Sequence, residues 1–185
     1  MKISKEQAQK NRQQIIDVAS QLFRERGFDG IGVADLMRAA GFTHGGFYGH
    51  FESKEALMLA ACQQAFDEAA LRWQKQSDLS LKSIATKYCS KQHRDNPGKG
   101  CPVAALAVSV ASQNDEVRSA FTDNFKLSIE FLVSAMEAED VGEARRKAIA
   151  AWSLLVGSVI LSRAVNEPKL ADQILTVGAE FANKL

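Results

Sequence analysis

A chain of 185 residues, 46% hydrophobic and 24% charged with only three prolines, can bury a sizeable core and has the composition of a globular protein. Its formal net charge of +1 excludes a polycation that coats nucleic acid by charge alone, so any DNA-binding activity must come from a localised site. The cysteines, Cys62, Cys89 and Cys101, are odd in number and widely spaced, which points away from a disulfide framework and toward a reducing cytoplasm.

The opening MKISKEQAQKNRQQ lacks the apolar core of a signal peptide. Its Lys2, Lys5, Lys10 and Arg12, against Glu6, form either a solvated tail or an arm that tracks a phosphate backbone. Ile15, Val18, Ala19, Leu22 and Phe23 follow helical spacing and predict a first helix from Lys5 to Arg26, stopped by Gly27. Arg24, Arg26 and Arg38 read as ordinary surface charges. Val33, Leu36, Met37 and Ala40 predict a short second helix ending at Gly41; Thr43 is placed to cap a third, and Ser53 a fourth running through ALMLAACQQAFDEAALRWQ. LSLKSIATKYCSKQ reads as one helix, interrupted by RDNPGKGCP. VAALAVSVASQ, DEVRSAFTDNFKLSIEFLVSAMEA, VGEARRKAIAAWSLLVGSVILSRAV and PKLADQILTVGAEFANKL complete the chain, with Pro168 in the first turn of the last helix. With no strand alternation, the expected fold is all-α, of about nine helices. The apolar tract AIAAWSLLVGSVIL is shorter than the roughly 20 residues of a membrane span and reads as a buried helix, so no membrane partner is expected.

The segment GFTHGGFYGHF, Gly41 to Phe51, lies between helical patterns yet carries Gly45, Gly46 and Gly49, each costing about 1 kcal/mol relative to alanine inside a helix. Two short helices joined by a glycine turn form a helix-turn-helix, whose second helix enters the DNA major groove N-terminus first. Glycines there let the backbone lie close to phosphates or base edges, while Phe47 and Phe51 anchor the segment to the core. Thr43 and His44 would face the groove, with Tyr48, His50 and Lys54 fixing register on the duplex.

VADLMRAAGFTHGGFYGHFESKEAL, Val33 to Leu57, closely resembles the DNA-binding signature of TetR/AcrR-type transcriptional regulators: Ala40, Gly41, Phe42 and Thr43 as the turn, then Tyr48, His50, Phe51, Lys54, Glu55 and Leu57. The resemblance implies that Thr43, Tyr48, His50 and Lys54 contact phosphates of a double-stranded operator, while His44, Gly45 and Gly46 approach bases. Where many relatives carry Thr or Ser before the second helix, this chain has Ile31 and Gly32, so a backbone N–H at Gly32 takes the place of a hydroxyl. It further implies a three-helix DNA-binding head, residues 1–52, and a helical bundle, residues 53–185, that binds a small-molecule effector and forms a homodimer. The expected activity is regulation of transcription, as a repressor that its effector releases, without enzymatic activity, cofactor or metal.

Outside the head, Trp73, Tyr88, Cys101, Phe121 and Phe125, with Trp152 and Met136, are either core residues or the lining of an effector cavity. Cys101, beside a helix start and near His93 and Lys99, is either a small buried residue or a thiolate sensor of oxidants and electrophiles, the alternative regulatory reading. The last two helices carry Trp152, Leu155, Val156, Val159, Ile160, Ile174, Leu175, Val177 and Phe181 among small residues, which fits either a buried intrachain pair or half of a four-helix dimer interface.

Overall fold

Ser4 accepts a hydrogen bond from the Gln7 amide and starts α1 (Lys5–Arg26), whose Ile15, Ile16, Ala19 and Phe23 are buried. The computed structural model describes residues 4–136 and 140–185; Lys2 and residues 137–138, expected to end the seventh helix, lie outside them. After α1 come α2 (Val33–Ala39), a 3-10 helix (His44–Gly49), α3 (Lys54–Gln74), α4 (Leu81–Tyr88) and α5 (Lys91–Asp95). A second 3-10 turn (Pro97–Lys99) leads to α6 (Pro102–Val110), α7 (Asp115–Val133), α8 (Val141–Ala164) and α9 (Pro168–Ala182). The described residues are thus all-α, as expected.

Two expected elements differ. The helix predicted across LSLKSIATKYCSKQ breaks at Cys89 and Ser90, because the Ser90 hydroxyl accepts from the His93 amide and caps a separate α5. The third helix is 3-10 throughout, and Thr43 does not cap it through its side chain: the Thr43 carbonyl accepts from the Gly46 amide at 3.0 Å. Three glycines in six residues weaken the α-helical preference enough for the tighter form to win.

Two cores share the fold. The first packs α1, α2, the 3-10 helix, α3 and α6 around Phe23, Phe28, Phe47, Phe51, Leu57 and Leu106. The second packs α4, α7, α8 and α9 around Ile84, Tyr88, Leu132, Trp152 and Leu155. Cys101, Phe125 and Val156 pack against both. Helix α8 has the length and apolar composition to cross a membrane, its 24 residues exceeding the shorter tract read from the sequence. Its Ala148, Ala151, Trp152, Leu155 and Val159 are nevertheless buried in the second core, as expected of a core helix.

Candidate DNA interface and ligand cavity

The turn between α2 and the 3-10 helix is set by backbone geometry. Gly41 has φ +82°, its amide donates to the Arg38 carbonyl, and the Phe42 amide donates to Met37 at 2.8 Å, the paired bonds of a Schellman motif. Gln14 on α1 donates to the freed Ala40 carbonyl at 2.9 Å and ties the turn to the first helix. Beyond the turn, Phe47 and Phe51 are buried and stacked with centroids 5.6 Å apart, and burying each contributes about 2 kcal/mol. Arg12 on α1 covers the Phe51 ring at 4.7 Å.

This anchoring presents the opposite side of the segment to solvent. Thr43, His44, Gly45, Tyr48 and Gly49 are exposed, Gly46 and His50 half-buried, and Gly32 exposed at the start of α2. Tyr48 is 71% exposed although its ring edge meets Phe47. A Cβ added at Gly32, Gly45 or Gly49 would meet nothing within 4 Å, and at Gly46 it would make only ordinary contacts with Met37 and Thr43. None of these glycines has a positive φ. Nothing among the described residues therefore requires glycine at 45 or 49. Lys54 donates to the Phe28 carbonyl at 2.6 Å, fastening the start of α3 to the end of α1; an ammonium has two further donors.

The second feature is a cavity of about 410 Å³ between α3, α7, the start of α6 and Trp152 of α8. Trp73 and Cys101 line it. Tyr88, Phe121 and Phe125 do not: Tyr88 packs edge-on to Trp152, Phe121 edge-on to Phe66, and Phe125 against Trp152, so they stand behind the wall. Sequence reasoning passed over Gln63, Asp67, Asn124 and Ser128, which supply the polar side, and Phe131, which lies against Trp73. The i, i+4 spacing of Gln63 and Asp67 was the available signal.

Arg24, expected on the surface, is 4% exposed. Its guanidinium pairs with Glu68 of α3 at 2.7 Å and donates to the carbonyls of Ser20 and Gly100. Arg72 of α3 donates to the same Gly100 carbonyl at 3.3 Å. The next residue, Cys101, is cavity wall. The loop is held from its other side by His93, whose Nδ1 bonds the Tyr88 carbonyl at 2.7 Å and whose Nε2 accepts from the Cys101 amide at 2.9 Å. These partners place the proton on Nδ1. Burial pushes His93 down to about 4; the bond to Tyr88 opposes this, while Arg163 and Arg72 add to it.

The alternative reading of Cys101 as a thiolate is not supported. Burial raises its thiol, outweighing the Tyr88 hydroxyl, the Ala104 and Val103 amides at the start of α6, and Arg72, all of which act to lower it. The helix terminus acts in the expected direction, but desolvation is larger. Cys62 and Cys89 are buried, and burial pushes both to about 12.

On α8 and α9 the small and apolar residues divide. Ala148, Ala151, Ser158 and Gly178 are buried within the chain. Leu154 and Leu161 on α8, and Leu170, Val177 and Phe181 on α9, are exposed, Phe181 by 53%. Their spacings of seven, and of seven and four, align each set on one helical face.

A steep turn fixed by Gly41, an exposed glycine-rich segment and a cavity-bearing bundle behind it define a helix-turn-helix DNA-binding regulator. Residues 15–61 match the bacterial regulatory proteins of the tetR family, and residues 78–174 match the C-terminal domain of LmrA/YxaF-like transcriptional regulators. The chain belongs to the TetR family of transcriptional regulators and is not an enzyme. It is 28% identical over 181 residues to the transcriptional repressor DhaR of Mycobacterium sp. (strain GP1), covering 90% of this chain and 89% of that protein. Its fold is similar to a TetR-family regulator from Cytophaga hutchinsonii, with TM-score 0.79, 20% identity and coverage of 100% and 98%. It is also similar to AibR in complex with isovaleryl coenzyme A and operator DNA, with TM-score 0.63, 18% identity and coverage of 92% and 97%.

Proposed function

We propose that the protein is a cytoplasmic, homodimeric repressor of transcription that leaves its operator when a small molecule occupies the cavity. The observation that carries the DNA-facing part is the open space around Gly45 and Gly49: the fold has no internal use for their missing side chains, whereas close approach to a duplex does. In this reading the head, residues 1–52, places His44, Gly45 and Gly46 against base edges. Thr43, Tyr48, His50 and the Gly32 N–H contact phosphates, joined by Lys54 through the donors that Phe28 leaves. The remainder, residues 53–185, holds effector and partner. The aligned apolar stripes of α8 and α9 support a two-fold interface in which the last two helices of each protomer form a four-helix bundle. Two heads so related read half-sites about 34 to 36 Å apart.

Release follows from the joint at Gly100. An occupant that displaces Cys101 or Pro102 acts on the adjoining Gly100 carbonyl, which Arg24 of the head and Arg72 of α3 both hold. Such an occupant favours whichever arrangement of the heads it binds more tightly, and only that difference in affinity shifts the DNA equilibrium. The similarity to DhaR, a repressor, supports the sign of regulation. Selection of fragments from a genomic pool by the purified protein tests the reading. Recovered fragments should share an inverted repeat with the stated half-site spacing; recovery of no fragment at low salt, or of all fragments equally, overturns it.

A further inference from the structure

The chemistry of the cavity wall narrows what can occupy it, an argument that rests on the cavity being the effector site. One side is aromatic: Trp73 and Phe131 lie with centroids 5.9 Å apart, and Phe66 and Trp152 extend the surface. The Trp152 Nε1 is committed to the Ser128 carbonyl at 2.8 Å, so that indole offers the cavity carbon and π surface and no donor. The other side is an ordered polar relay. Asn124 donates to the Gln63 side chain at 3.0 Å, and Gln63 donates to the Asp67 carboxylate at 2.9 Å. This fixes the carboxylate at the mouth.

Asp67 is the one charged residue among the described residues lining the cavity. Arg24 and Arg72 both lie outside the wall: Arg24 is paired with Glu68, while Arg72 donates to the neutral Gly100 carbonyl and keeps its charge there. An anionic ligand would leave water for a site that offers a carboxylate and the negative faces of aromatic rings, with no cation among its described lining residues. A cation gains from both. About 410 Å³ lined by the rings of Phe66, Trp73, Phe131 and Trp152 accommodates two or three fused rings. We infer that the cavity selects a planar aromatic molecule carrying a positive charge.

Both tryptophans of the chain line this cavity, so their fluorescence reports occupancy directly. The full chain, without DNA, is titrated near neutral pH with a tricyclic set of one shape and three charges: N-methylacridinium, acridine and acridine-9-carboxylate. The cation should quench at concentrations about threefold to tenfold below the neutral ring, a modest factor because Asp67 is exposed to solvent, and further below the anion. Asp67→Asn should abolish the advantage of the cation while leaving acridine binding unchanged, which excludes a general loss of structure. Equal or tighter binding of acridine or its carboxylate, or a cation preference that survives Asp67→Asn, overturns the charge selection and leaves the cavity as effector site. Failure of all three to quench overturns the inference of a planar aromatic ligand, and the cavity's role as effector site then rests on release from the operator alone.

Discussion

Alanine at positions 45 and 49 separates what the fold needs from what DNA needs. In the free protein an added Cβ at either site meets nothing within 4 Å, and neither residue has a positive φ, so alanine is accepted without strain. It also restricts the unfolded chain, which stabilises by about 0.4 to 1 kcal/mol per site. The two sites share no partner, so Gly45→Ala/Gly49→Ala should be more stable by about 1 to 2 kcal/mol. With a urea m-value of about 2 kcal/mol/M, the unfolding midpoint rises by roughly 0.5 to 1 M, measurable by circular dichroism. Operator affinity should move the other way. Each methyl group holds the backbone off the duplex, and loss of one well-formed groove contact costs about 1 to 3 kcal/mol, so anisotropy titration of a selected operator should show at least a tenfold loss. Wild-type affinity in the stabilised variant would refute the close-approach argument. Destabilisation would refute the placement of these residues in open space.

His93 has a folded pKa of about 4 against 6.5 when free, so the unfolded chain takes up the proton first as pH falls. Its contribution is fully present above 6.5 and is lost on descending to about 4; at about 1.4 kcal/mol per pH unit this amounts to about 3 kcal/mol. Urea midpoints of wild type minus His93→Gln across that window should show the decline, and a flat difference would contradict it. Arg24→Met keeps the aliphatic stem but removes the pair with Glu68, which is one-third exposed and can rehydrate; the expected loss is about 2 to 3 kcal/mol. A double-mutant cycle with Glu68→Gln should give coupling of about 1 kcal/mol, and additivity would remove the pair as a joint. The buried Tyr88 hydroxyl has no hydrogen-bond partner among the described residues, although it and the Cys101 thiol are near enough to influence each other, so Tyr88→Phe should be neutral or stabilising by up to about 1 kcal/mol. A clear loss in thermal unfolding would mean that the thiol does accept that proton.

Local signals carried the reading of the head. Helical spacing with a glycine stop delimits α1, and Gly41 between two short apolar patterns marks the turn that the Schellman bonds then close. The same local view could not separate i→i+3 from i→i+4 bonding in a glycine-rich stretch, because Phe47 and Phe51 fit an i, i+4 spacing while Phe51 lies beyond Gly49, the last 3-10 residue. Nor could it see that Ser90, inside a polar run, would cap a new helix rather than continue the old one. Which aromatics line a cavity is harder still. Phe121, Phe125 and Phe131 all lie on α7, with Phe131 about 80° and about 120° around the axis from the other two, and only the packing of the helix decides which direction meets the cavity and which meets Phe66 or Trp152.

Arg24 marks the boundary of what sequence can disclose. It continues the Ile16, Ser20 ladder by steps of four, which brings it to the rim of the buried face of α1, but a charge at that rim ordinarily turns outward. What draws it inward is 44 and 76 residues away: the Glu68 carboxylate and the Gly100 carbonyl. A guanidinium with five donors can satisfy both and the Ser20 carbonyl together, which a lysine ammonium with three donors on a thinner stem does less well. The consequence reaches beyond stability. The residue after Gly100 is cavity wall, and Cys101 also packs against both cores, so the bonds that make burial of this arginine tolerable are those through which a ligand in one core would reach a helix in the other.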